Sequence, residues 1–550
     1  MAWDSEYDIV CVGSGVGGLS GAITGAERGA SVIVLEKFHL LGGVSSLSSG
    51  QLWPGPTHLS EAEGIKDDVR DAQAYMDHLS QGFSDPDLRK SYFAQCREAI
   101  RFFTDTIGME LQVVKGLPDY YYPVVQGSAA EGRFLEIKPF PAKKLGEWAS
   151  KTMLSPFGKY YSYTTSNEYV SMQIRGGEDV GTCFKRHLAA DERCAGAGLA
   201  ASQTYAALKR GIELQVSTEV IELVVEDGRV TGVVARDSFS STRRIRARLG
   251  VLLSTGGYDF RPDMVRSFDA LPDAGRMTIP TITGDHIVMA SKAGAIPFPA
   301  RAPAQTPVFV GYQIPGEIIF GKPTSRLFTP GAPHSIIVNS KGLRFANDSF
   351  YPDVSVKVGR YDGQEDGMAN WPAWLIFDQN FVDKYNLLPA FPGQPLPKGV
   401  AVQSDSVHEL AEATGIAADG LEKTVERFNG FCKTGVDEDF GRGTVPWGRI
   451  MTGDFNLPYP NFAEISKAPF YAVKLQHVTV GVPTAGLPIN PDGSVISAAG
   501  NVIPGLYATG NSAAFGDWGG GYNSGIAIMR GMLYGYYSSL HMTRSKAQKQ

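Results

Sequence analysis

Six residues, Gly13-Ser14-Gly15-Val16-Gly17-Gly18, constrain this chain more than any others because of what flanks them. Before them runs the apolar stretch Tyr7 to Val12, and after them a helix-compatible run from Leu19 to Arg28. The order reads as strand, tight turn and helix. Gly13 permits the turn, Gly15 lets the backbone approach a pyrophosphate, and Gly18 allows close helix–strand packing. Ser14 and Gly17 complete a helix N-terminus that faces the anion. A second apolar run, Ser31 to Leu35, ends in Glu36, placed to accept hydrogen bonds from a ribose diol, with Lys37 beside it. A glycine-rich turn followed by a solvated acid is the bland alternative, and the strand–helix–strand context argues against it.

Glycine, at 64 of 550 residues, exceeds its usual share of about 7%, and further clusters use it in the same way. Leu41-Gly42-Gly43-Val44-Ser45-Ser46 brings small residues close to a bulky ligand. The stretch Gly250 to Ser254 ends in Thr255-Gly256-Gly257, and Gly505 to Thr509 ends in Gly510-Asn511. Several strands that each end in glycine imply one extended ligand, FAD rather than NAD. Between them, Val216 to Arg236 alternates apolar and polar residues around the turn Glu226-Asp227-Gly228-Arg229, as a β-meander does. The expected fold is α/β: a discontinuous Rossmann-like FAD-binding domain at 1–286 and 467–541, an inserted α+β catalytic domain capping the substrate at 287–466, and a frayed tail at 542–550.

A formal net charge of −6 provides no broad positive field, which argues against nucleic acid. The five cysteines show no CxxC pair and no metal-ligand spacing, so a cytoplasmic location without metal or disulfides is expected. The acidic N-terminus lacks a secretion signal, and no run of apolar residues is long enough for a transmembrane span.

Taken in order, Gly13 to Gly18, Gly42-Gly43, Thr255-Gly256-Gly257 and Gly505 to Asn511 resemble the succinate dehydrogenase/fumarate reductase flavoproteins, and within them the 3-ketosteroid Δ1-dehydrogenases. Val338 to Asp348, Val425 to Asn429 and Gly435 to Phe440 extend the resemblance through the insertion. It implies that FAD also meets Val44, Ser45, Val220, Asp285, Ser524 and Ile526. No histidine occupies the loop after Gly43, where Val44-Ser45-Ser46-Leu47 stand, so the cofactor is expected to be non-covalent. Fumarate reductases place an arginine five residues after the asparagine matching Asn347, where this chain has Pro352 with Tyr351 beside it. The ketosteroid branch uses tyrosines, so the resemblance implies Tyr351 as the base and Tyr120, in Pro118-Asp119-Tyr120-Tyr121, as its assistant. The branch's Tyr-Pro-Gly-Pro-Gly segment departs here to Asp517-Trp518-Gly519-Gly520-Gly521-Tyr522. Gly521 is then the expected backbone donor to the ketone, and Trp518 or Tyr522 stands in for the lost phenol. Tyr121 and His477 are further substrate-facing candidates.

These residue types suit removal of hydrogen from a carbon–carbon bond beside a carbonyl. A preorganised N–H stabilises charge on the ketone oxygen by about 2.7 to 4 kcal/mol. A phenol needs help to ionise from its usual pKa of about 10. The aromatic stretch 117–170, with Phe134, Phe140, Phe157, Tyr160, Tyr161, Tyr163 and Tyr169, is either a pocket lid or a local core. The expected substrate is a small apolar ketone, a ketosteroid or a cyclohexanone derivative, with electrons passed to an external acceptor such as a quinone, a dye or oxygen. An enone or fumarate-like reductase, and an electron-transfer subunit without substrate chemistry, remain as alternatives.

Overall fold

The computed structural model describes residues 2–299 and 309–547. Its central layer is an eight-stranded sheet assembled from both ends of the chain. Strand β1 (Ser5–Val12) is followed by helix α1 (Val16–Glu27) and strand β2 (Val32–Leu35). β1 and β2 pair in parallel with Ile9 opposite Val32 and Val12 opposite Leu35. Their side chains are buried on both faces, as the continuous apolar runs require of a parallel sheet covered by helices. Helix α2 (Ser166–Arg175) and the apolar helix α3 (Ala195–Lys209) follow before the sheet resumes. Strand β3 (Glu213–Gln215) then adds beside β2, and β4 (Thr242–Leu253) lies parallel to β1 on its other side. The first half of β4 also pairs antiparallel with Arg229–Asp237, which forms a hairpin with Thr218–Glu226. This is the expected meander.

The last layer comes from the far end of the chain. Strand β5 (Val502–Ala508) runs parallel to β4, and helix α4 (Ile526–Ala547) crosses over α1. That packing requires glycine, since a Cβ on Gly535 would lie 2.4 Å from the Gly17 carbonyl oxygen; on its sheet side α1 is as close, a Cβ on Gly21 lying 2.3 Å from Leu252 Cδ2 of β4. The stretch from 542 onward, expected to fray, continues α4: Met542 and Thr543 are buried, and the Thr543 hydroxyl donates to the Ser539 carbonyl. Residues 548–550 lie outside the described residues.

The intervening sequence builds a four-stranded antiparallel sheet from Ser335–Asn339, Ala373–Asp378, Phe470–Lys474 and Val402–Ser404, so the inserted sheet takes in a strand beyond the expected boundary at 466. The helices Val407–Thr414 and Ala418–Thr434 pack on one face of it with their own apolar cluster around Leu421, Val425 and Phe428. A smaller sheet, Phe309–Tyr312 against Gln476–Thr479, adjoins the cavity that holds the candidate site.

Candidate active site

One cavity of about 520 Å³ runs between the glycine turns of the central sheet and the aromatic residues of the inserted region. At its nucleotide end the predicted cradle is assembled. Gly13, Gly15, Gly17, Glu36, Lys37, Gly43, Val44 and Ser45 line it, as do Val220, Thr255, Gly256, Gly257, Asp285, Gly510, Asn511 and Ser524. Gly13 sits at φ +101, and a Cβ there would lie 2.2 Å from the Ser254 carbonyl oxygen. A Cβ on Gly15 would meet nothing nearer than Ser45 Oγ at 3.6 Å, so its backbone opens onto the cavity. Gly15 begins α1 with no side-chain cap of its own; the Val16 N–H donates to Ser45 Oγ at 3.2 Å, and the helix N-terminus faces the cavity where an anion can meet it.

Glu36 is buried and anchored by three donors. Its Oε2 accepts from the Ser14 amide at 2.8 Å and the Ser14 hydroxyl at 2.7 Å, and its Oε1 accepts from Phe38 N at 2.8 Å. Burial raises its pKa, against the pull of these donors and of Lys37. Lys37 is shared by Glu219 and Asp285, each at 3.0 Å. Asn511 lines the cavity with its buried Oδ1 lacking a protein partner, an acceptor for a ligand's donor. A glycine-backed turn, a helix N-terminus, a fixed carboxylate and an orphaned acceptor together fit an adenine dinucleotide. Four predicted cofactor contacts lie behind this wall instead. Ser14 spends its hydroxyl on Glu36, Gly18 packs on the Gly13 carbonyl, Gly42 N donates to Ser14 Oγ, and Ile526 is in the core.

At the other end Tyr351 and Tyr120 meet. The Tyr351 hydroxyl donates to the Tyr120 oxygen at 2.9 Å, with the rings edge to face. Tyr351 opens the helix Tyr351–Val358 and stacks on Phe309 at 4.7 Å. The loop before it is clamped by Arg344, which bonds both Asp348 and Asp437 in the interior. Burial works against the Asp348 charge, but Arg344 and Arg442 override it and hold the carboxyl at about 2. Tyr120 packs on Trp447 at 4.4 Å, and its backbone N–H donates to Asn523 Oδ1. The neighbouring Asp119 is fixed by Trp53 Nε1 at 2.7 Å and Arg133 at 2.9 Å. Burial pushes both phenols well above 10, more than the hydrogen bonds to Tyr120 lower it.

Several candidates are placed elsewhere. The Gly521 N–H donates to the Trp518 carbonyl and the residue packs on Leu79, so it offers no donor to the cavity. The glycine that does line it is Gly525, four residues on, at φ +83. Trp518 is fully buried between Trp53 and Tyr92. Tyr121 packs edge-on against Phe350 outside the cavity. His477 stacks on Trp371 at 4.0 Å, burial lowering its pKa to about 4, and Val480 to Val482 face the cavity in its place. Tyr522 does line it. The aromatic stretch divides: Tyr160, Tyr161 and Tyr169 line the cavity, while Phe134, Phe140, Phe157 and Tyr163 are buried packing. Gln51, Phe309 and Trp447 also line it and carry no local sequence signal.

Among the described residues no cluster could hold a metal ion, and no helix is long and apolar enough to cross a membrane. Fold and cradle together define the class, a flavoprotein oxidoreductase. Residues 8–527 match the family described as FAD binding domain. The chain is 33% identical to a 3-oxosteroid 1-dehydrogenase of Mycolicibacterium smegmatis over 98% of both chains. It is 30% identical to a 4-oxocyclohexanecarboxylate 2-dehydrogenase of Sinomonas cyclohexanicum over 96% of this chain and 92% of that one. A 3-ketosteroid delta1-dehydrogenase from Sterolibacterium denitrificans, solved with 1,4-androstadiene-3,17-dione, superposes with a TM-score of 0.88 at 27% identity, covering 98% of this chain and 100% of that one. The chain belongs to the FAD binding domain family, in its 3-ketosteroid Δ1-dehydrogenase-like branch.

Proposed function

We propose that this enzyme introduces a double bond beside the carbonyl of an uncharged cyclic ketone, of ketosteroid type, using FAD held non-covalently. The observation that carries the reading is the Tyr351–Tyr120 hydrogen-bonded pair facing the same cavity as the glycine cradle. Bound FAD supplies the hydride acceptor for the β carbon. Tyr351 takes the α proton, and the negative charge left when the pair loses a proton is shared across two oxygens 2.9 Å apart. The Gly525 N–H, which donates to no backbone acceptor among the described residues, is the candidate to polarise the ketone oxygen. Trp447, Phe309 and Tyr522 supply apolar walls that exclude water from the proton transfer. An external acceptor then takes the electrons.

Charge argues for the uncharged substrate. The only charged residues lining the cavity among those described are Glu36, Lys37 and Asp285, all at the nucleotide end, and Lys37 is already paired. A carboxylate-bearing substrate would be buried without a counter-ion, which is costly. The same absence disfavours a fumarate-like reductase, whose substrate is a dianion. The five cysteines are unpaired thiols, which supports a cytoplasmic location. The test is anaerobic mixing of the FAD-loaded enzyme with a neutral 3-ketosteroid and, separately, with 4-oxocyclohexanecarboxylate. Flavin bleaching by the first and not the second is expected, and bleaching by the carboxylate alone would overturn the assignment.

A further inference from the structure

The phenol pair is one end of a chain of side chains running through the cavity wall. The Tyr351 hydroxyl donates to Tyr120 at 2.9 Å. Ser524 lies beside the Tyr120 phenol in the cavity wall, where it favours the ionised form, and its hydroxyl donates to Gln51 Oε1 at 2.7 Å. Gln51 Nε2 donates to Ser166 Oγ at 2.9 Å. Ser166 begins α2, whose first amides, Ser166 N and Asn167 N, donate to the buried Glu136 carboxylate at 2.7 and 3.0 Å. Gln51 is only 5% exposed, so neither end of its amide has water as an easy substitute.

This arrangement has a direction. With both phenols neutral, the Ser524 proton points to Gln51, and the Gln51 amide proton points to Ser166. When Tyr351 is a phenolate, Tyr120 donates to it, and the Tyr120 oxygen becomes an acceptor that the single proton of Ser524 can serve. To serve it, that proton leaves Gln51 Oε1. A half-turn of the amide resolves the conflict, because it presents Nε2 to Ser524 Oγ and Oε1 to the Ser166 hydroxyl without moving a heavy-atom position. The carbonyl oxygen and amide nitrogen of a glutamine occupy equivalent places, so both orientations fit one cavity.

We propose that Gln51 is a positioning residue for the phenol pair, its amide turning over to reverse the hydrogen-bond chain when the pair gives up its proton. The proposal rests on the proposed function in taking the Tyr351–Tyr120 pair as the group that gives up a proton, whichever phenol receives the substrate's. Leucine or alanine here would strand Ser524 in one of the two states, and serine or threonine would not span the gap to Ser166. The other titratable groups facing the pair are Tyr522 and Tyr121, with the Asp119–Arg133 ion pair behind Tyr120 and Asp353 acting on Tyr121. At the far end they are Glu136 and Glu168.

The experiment compares Gln51→Met, Gln51→Glu and Ser166→Ala with the parent holoenzyme, measuring the pH profile of kcat/KM with a neutral ketosteroid and a dye acceptor. Tyrosinate absorbance, taken as a difference against the same variants carrying Tyr351→Phe, is titrated in parallel. Loss of the Gln51 amide should move the alkaline rise of both curves upward by about one pH unit. Gln51→Glu should move it further, since an ionised carboxylate opposes a phenolate, and Ser166→Ala should move it in the same direction by less. Curves that superimpose on the parent's, even with a lowered melting temperature, would reduce Gln51 to a structural tie and overturn the proposal. If Gln51→Met does not fold, the direction of the Ser166→Ala shift decides. Because the absorbance titration needs no turnover, retained activity in Tyr351→Phe alongside a shifted titration would sink the base assignment and leave this inference standing.

Discussion

Replacing Tyr351 with phenylalanine removes one oxygen atom and leaves the surroundings of the ring intact. The ring stacks on Phe309 at 4.7 Å and lies 5.6 Å from Trp447 and 5.7 Å from Tyr120, contacts that phenylalanine keeps. The stability lost is that of one hydrogen bond in a buried pair, about 1 kcal/mol. Nothing in the cofactor cradle depends on this oxygen, so FAD affinity should not change. The chemical step should suffer far more. A positioned general base contributes about 10²- to 10⁴-fold, equivalent to roughly 3 to 5 kcal/mol of barrier. The assay is stopped-flow bleaching of the bound flavin by a saturating neutral ketosteroid without oxygen, with exchange of the substrate's α protons in heavy water followed in parallel. Both rates should fall by at least about a hundredfold with the flavin spectrum unchanged. A rate within a few-fold of the parent would refute the reasoning and move the base elsewhere, with Tyr120 first in line. The parent's own rate should climb with pH through the neutral range and beyond, because burial holds both phenols above 10 and the base acts only when the pair is ionised.

Three further outcomes follow from the geometry. Glu36→Gln removes the charge held by Ser14 and Phe38 at the expected ribose position; FAD affinity by flavin-fluorescence titration should fall about tenfold, and an unchanged affinity would contradict the placement. Arg530→Met leaves the fully buried Asp517, now 2.6 Å from Arg530 Nε, without its cation; urea unfolding should show a loss of about 3 to 5 kcal/mol. Glu136 is raised by burial to about 7, against the donors from Asn167, Ser166 and Gln112. Its stabilising effect is complete below its unfolded pKa of about 4.5 and is lost as pH rises through about 7, because the unfolded chain releases a proton that the native one keeps. Stability should therefore decline across that window, and the decline should be smaller in Glu136→Gln, measured by melting temperature against pH.

What was legible in the sequence tracks how local each device is. The turn at Gly13, the approach at Gly15 and the carboxylate of Glu36 lie within one strand–helix–strand unit, where spacing alone dictates geometry, and all three line the cavity. Tyr120 and Tyr351 are 231 positions apart, and only resemblance could pair them; composition offers 23 equivalent phenols. Gly521 went astray for an identifiable reason. The segment carries Gly519, Gly520, Gly521 and Gly525, and a resemblance that must be aligned across a lost tyrosine has no anchor to choose among them. The backbone does choose: Gly521 is folded onto Leu79 with its N–H used, whereas a Cβ on Gly525 would lie 2.8 Å from the backbone of Leu52 and Trp53. That close approach seats the segment against Gln51 and lets Ser524 reach it. Gln51, Phe309 and Trp447 carry no signal because each is an ordinary residue made functional by what the fold brings opposite it. The wall of such a site is therefore readable only once the distant segments are placed, whereas the cofactor's cradle can be read from some thirty consecutive residues.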